Sequence, residues 1–148
     1  MSNIKLGYNP KIIEKGEEIL LEVKNGKPRA FLGSIDEMTV KNESFRKVIY
    51  TGKHTQLVLM NLLPGEKIDR EIHPNVDQFF RLEQGSIDVL VENPNENLHA
   101  ENGDAVIIPS GTYHTVTAGP NGAKLYTLYS PANHPYDRVQ DEKPEEDD

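Results

Sequence analysis

Short alternating apolar runs, cut every few residues by Gly, Pro or Asn, constrain this chain more than any other feature. Asn25-Gly26, Pro64-Gly65, Asn102-Gly103-Asp104 and Pro120-Asn121-Gly122 supply residues that tolerate φ > 0 or fix φ near that of a turn, so each predicts a chain reversal. The runs between them predict strands at 18–23, 30–32, 47–50, 56–62, 78–82, 87–92, 98–101, 105–108, 114–117 and 125–129. Helix signals are scarce. Ser34-Ile35-Asp36-Glu37 resembles a capping box and predicts one helical turn. Strands this short and numerous shed their exposed edges by closing into a barrel or stacking as two sheets, so the fold class is all-β.

At 148 residues the chain suits one domain, and a domain near that size buries roughly 68 to 70% of its unfolded surface. It contains no cysteine. Any transition metal must therefore be held by imidazole, carboxylate, amide or water. The first residues lack the apolar core of a signal peptide and no run approaches a membrane span, which predicts a soluble cytoplasmic protein with no membrane partner. A formal charge of -8 argues against sequence-independent nucleic-acid binding. Much of that charge is local: residues 137–148 carry seven acids against Arg138 and Lys143. The reading divides the chain into an N-terminal extension with an extra hairpin over 1–44, a barrel over 45–132, and an acidic, disordered tail over 133–148.

Two separated motifs carry the chemistry. The first runs Gly65, five residues, Glu71, one residue, His73, four residues, Gln78, six residues, Gly85. The second runs Gly103, five residues, Pro109, one residue, Gly111, two residues, His114. Glu71 and His73 are two apart and share a face on extended chain, while Gln78 and His114 each open a strand that is apolar on their own side. A small barrel would gather all four at one end of an apolar interior.

These motifs resemble those of the cupin superfamily, whose first motif reads Gly, five residues, His-x-His, three or four residues, Glu, six residues, Gly. The segment PGEKIDREIHPNVDQFFRLEQG keeps that spacing, and GDAVIIPSGTYHTVTA keeps the second motif except that it ends in Ala118 where cupins have Asn. The resemblance implies a jelly-roll barrel with an N-terminal β extension, a metal held by Glu71, His73, Gln78 and His114, and barrels that pair as a homodimer. Glu71 stands where the first His is usual and Gln78 where Glu is usual. Asp77 is the other candidate for the Gln78 position, but the next six-residue step would then miss Gly85.

An amide oxygen is a weak donor, so Gln78 is expected to bind weakly or through water. Glu71, His73 and His114 form a two-His, one-carboxylate set suited to Fe, Mn, Ni or Zn as a divalent transition metal. The expected function is a small-molecule metalloenzyme leaning to non-haem oxygenase-type chemistry, with Glu71 as ligand or, if detached, general base. The alternatives are a non-catalytic module for a small ligand or metal, and a sugar-phosphate isomerase-like cupin. Phe80, Leu82, Val116, Met60 and Tyr126 are expected to line the interior, with Phe79 and Arg81 on the opposite face. His54, His99 and His134 are expected at the surface or in turns, and Lys67 and Arg70 near the mouth.

Overall fold

A computed structural model describes the backbone of Val23–Lys24 and Lys27–Pro28 and the whole of residues 29–145. The elements in chain order are β1 (Val23–Lys24), β2 (Lys27–Pro28), α1 (Ile35–Lys41), β3 (Arg46–Thr51), β4 (Gln56–Leu62), β5 (Lys67–Glu71), β6 (Asp77–Val91), β7 (Glu96–Glu101), β8 (Ala105–Ile108), β9 (His114–Ser130) and β10 (Val139–Gln140). β1 pairs antiparallel with β2. The Asn25-Gly26 turn and most of the strand expected at 18–23 lie outside the described residues.

Every ladder is antiparallel, and two long strands serve both halves of the molecule. The first half of β6 pairs with β8 and with the second half of β9, which continues to β4, β3 and β10. The second half of β6 pairs with β7 and with the first half of β9, which continues to β5. The register shifts where β6 passes Gly85, and Gly85 and Gly122 both have positive φ. A Cβ added at Gly85 would stand 2.1 Å from the carbonyl oxygen of Gly122, so the two strands cross at their bends too closely for any side chain. Sequence reading predicts two separate strands on each side of these bends, with a turn at Pro120-Asn121-Gly122. The chain instead stays in the ladder and changes partners.

Folding one sheet over itself creates the interior. Phe80, Leu82 and Leu125 from one layer meet Ile68, Ile87 and Val116 from the other in a single buried cluster. Outside the first layer, α1 lays Met38 over Ile49, Leu57 and Leu59, with Tyr126 and Leu128 packed at the margin. The helix is longer than the single turn expected, and Ser34 sits at its N-cap without a side-chain cap bond.

Several expectations are corrected. Tyr126 belongs to the outer cluster and its ring meets Phe79; Tyr129 takes the interior position, 1% exposed. Residues 30–32 form no strand, because Tyr50 Oη donates to the Arg29 carbonyl and Phe31 packs on the Tyr50 ring, holding the segment through side chains. β5 carries a single buried apolar residue, Ile68, too little for an alternation signal. Within the tail expected at 133–148, of which 146–148 lie outside the described residues, β10 pairs with β3, the Phe45 amide donates to the Asp141 carbonyl, and Lys143 reaches Asp69. Charge composition alone does not convey this docking, because the contacts run through backbone pairing and single polar side-chain bonds and not through buried apolar surface. Among the described residues no helix is long and apolar enough to cross a membrane.

Candidate metal centre

Two turns bring the motifs together. Glu71 is the last residue of β5 and pairs in register with His114, the first residue of β9. His73 follows in the loop, where its carbonyl accepts the Gly111 amide at 2.9 Å, so the turn of the second motif is bonded to the loop of the first. Asp77 is spent on that junction too: its carboxylate accepts the Ser110 amide at 2.9 Å. That leaves Gln78, on the inner face of β6, as the residue directed into the barrel.

One ligand atom each from Glu71, His73 and His114 lies within 4.8 Å of the others. Glu71 Oε1 stands 3.2 Å from His73 Nε2 and 3.5 Å from His114 Nε2. At 3.5 Å the second contact is too long for a good hydrogen bond, and His114 Nε2 is a buried nitrogen without a hydrogen-bond partner. The reason is at the other side of the ring. His114 Nδ1 lies 3.0 Å from the Thr112 carbonyl, which only accepts, so Nδ1 carries the proton and the neutral ring turns its Nε2 lone pair into the site. This is the support from behind that a metal-binding imidazole ordinarily has.

Burial alone would push the Glu71 carboxyl up, yet its contacts with the His114 and His73 imidazoles outweigh that and hold it at about 2. The carboxylate is therefore ionised at neutral pH. Gln78, 1% exposed, donates from Nε2 to Thr127 Oγ1 at 3.2 Å. That bond fixes the amide, and its Oε1 is left buried without a partner. A carboxylate, two imidazoles and an orphaned amide oxygen fit a divalent transition metal in charge and in donor type.

The remaining sequence expectations divide. His54 and His99 are exposed, as expected, whereas His134 is buried and its Nε2 meets Tyr129 Oη at 3.2 Å. Tyr129 stands edge-on to His73, their ring centroids 5.7 Å apart. Sequence reading misses both Tyr129 and His134; a buried pair five residues apart across a Pro-containing turn leaves no periodic signal. Arg70 does not point at the centre: it forms two bonds with Glu92 and stacks on Tyr113 outside the barrel wall.

The family model for the cupin domain matches residues 58–129. The uncharacterized protein YrkC of Bacillus subtilis is 40% identical over 132 residues, covering 86% of this chain and 71% of its own length. Protein L612 of Acanthamoeba polyphaga mimivirus is 39% identical over 120 residues, covering 79% and 75%. The crystal structure of BH2720 from Bacillus halodurans superposes with a TM-score of 0.74 at 37% identity, over 80% of this chain and 94% of that one. Two motifs at cupin spacing, a sheet folded into two layers at Gly85 and Gly122, and these relatives lead to one conclusion: the chain belongs to the cupin superfamily.

Proposed function

We propose that this cupin binds a divalent transition metal through Glu71, His73 and His114, with Gln78 as a weak fourth donor, and acts on a small-molecule substrate with non-haem oxygenase-type chemistry. The observation that carries the reading is the His114 ring, whose Nδ1 is engaged by Thr112 while its buried Nε2 has no partner and faces the Glu71 carboxylate. A buried acceptor left unpaired costs about 1 to 3 kcal/mol, which a bound cation would offset. When bound, such an ion supplies Lewis acidity, and iron adds access to O2 chemistry.

The chain's own residues have separate tasks. Glu71 contributes the one formal negative charge of the donor set and is ionised across the physiological range. Thr112 holds the His114 ring in its binding tautomer. Thr127 keeps the Gln78 oxygen turned away from its own hydroxyl and available to a cation or a water. Phe80, Val89 and Val116, none of them solvent-exposed, keep water from the inner side of the centre.

Anaerobic loading with Fe(II) followed by nitric oxide, read by electron paramagnetic resonance, tests the reading. Wild type should give a nitric oxide response that His114→Ala lacks. Protein that takes up none of Fe, Mn, Ni or Zn would remove the metal reading. Protein that binds iron but does not respond to nitric oxide would remove the oxygenase part alone.

A further inference from the structure

Glu71 reaches the centre only because β5 carries one extra residue. Ile68 pairs with Val116 and Glu71 with His114, so three steps along β5 are set against two along β9. Ile68 belongs to the core and is 2% exposed. Regular alternation from it would turn Arg70 inward, opposite His114, and put Glu71 outside. The bulge reverses that order: Asp69 and Arg70 are both exposed, and Glu71 enters the donor set.

Both residues of the bulge are anchored from outside. Asp69 accepts from Lys143 Nζ at 3.1 Å. Arg70 donates from Nε and Nη2 to the two carboxylate oxygens of Glu92 at 2.8 and 3.1 Å, and its guanidinium lies 3.8 Å from the centre of the Tyr113 ring. Tyr113 is the residue before His114, and its carbonyl accepts the Glu92 amide at 3.0 Å. The Glu92 side chain thus holds Arg70 while its backbone holds Tyr113. The ends of β5, β6 and β9 meet in this stack, and its two inner members are the chain neighbours of Glu71 and His114.

We propose that Arg70 and Tyr113 are positioning residues of the metal centre: the Glu92–Arg70–Tyr113 stack holds the β5 bulge in the register that turns Glu71 inward. The inference rests on the metal reading above and assigns part of the site's affinity to contacts outside the barrel wall. A guanidinium suits the task because its fork matches the carboxylate while its face lies on the ring, which an ammonium cannot do. Its charge also opposes the regular register, in which it would lie unpaired in an apolar interior. An exposed ion pair adds little stability by itself. The consequence of losing the stack is therefore expected in the donor set more than in the fold.

The test titrates the full chain with Co(II) and follows visible absorption, which reads both affinity and the ligands of the bound ion. Arg70→Ala should weaken Co(II) by about tenfold or more, the scale on which supporting contacts act on a metal site. Its spectrum at saturation should also differ from that of wild type, because Glu71 no longer holds its place. A loss of stability alone would leave that saturated spectrum unchanged. Tyr113→Ala should repeat both effects, and decides the matter if Arg70→Ala does not fold; Tyr113→Phe, which keeps the ring, should behave as wild type. Unchanged affinity or an unchanged saturated spectrum in the deciding variant overturns the inference and leaves the metal reading standing. Failure of wild type to take up Co(II) overturns both.

Discussion

Replacing Gln78 with Glu restores the residue usual at this cupin position and puts a second carboxylate on the centre. The site is 1% exposed, and its one internal bond is donated to Thr127 Oγ1. A Thr hydroxyl can reverse and donate to a carboxylate, so that bond survives and the cost is charge. Without metal the new carboxylate is buried beside ionised Glu71, and an uncompensated buried charge costs about 3 to 5 kcal/mol, a large part of the 5 to 15 kcal/mol typical of a domain. For a chain of this size that corresponds to a melting point lower by roughly 6 to 20 °C. With metal the formal ligand charge doubles and the repulsion becomes attraction, so affinity should rise by more than about tenfold, or 1.4 kcal/mol. The assay is thermal unfolding of wild type and Gln78→Glu, each in chelator and in excess Zn(II). The variant should be the less stable in chelator and gain the more from metal. If it melts with wild type in chelator and gains no more from Zn(II), Gln78 does not face the centre.

Gly85→Ala should destabilise far more than Gly103→Ala in chemical denaturation. Both have positive φ, costing about 1 to 2 kcal/mol for any Cβ, but at Gly85 the Cβ meets backbone at 2.1 Å whereas at Gly103 nothing lies within 4 Å. Equal losses would refute the crossing of the two bends. On the outer face, the hydrogen bonds that His99 donates to the Asp88 and Glu101 carboxylates raise its pKa above 6.5. His99 therefore favours the folded state below 6.5, and that contribution disappears as pH rises through the folded value. NMR titration should find the His99 midpoint above 6.5 in wild type and lower in Asp88→Asn; an unmoved midpoint would show that the pair does not form in solution.

Motif spacing made the donor set legible because turn residues fix it: Gly65, Gly103 and Gly111 have the positive φ that their positions in the motifs require. The spacing to Gly85 likewise favours Gln78 over Asp77, and the Asp77 bond to Ser110 gives the physical reason. What spacing does not convey is face. Alternation counted from His114 does not carry past the bend at Gly119–Gly122, and a single extra residue there decides whether Tyr126 or Tyr129 points inward. The polar and turn residues that flank His134 predict a surface position, yet its burial is set by Gln56, 78 positions away in the chain. The docking of β10 is equally non-local. Composition describes how a segment would behave alone, and residues 133–145 are not alone.

The central claim is that Glu71, His73 and His114 form a metal site, and elemental analysis of the purified chain after reconstitution and desalting tests it most directly. Wild type should retain about one divalent transition-metal ion per chain, while Glu71→Ala and His114→Ala retain little and still show a folded circular dichroism spectrum. Wild type that emerges metal-free after exposure to Fe, Mn, Ni and Zn, or variants that hold metal as wild type does, would contradict it.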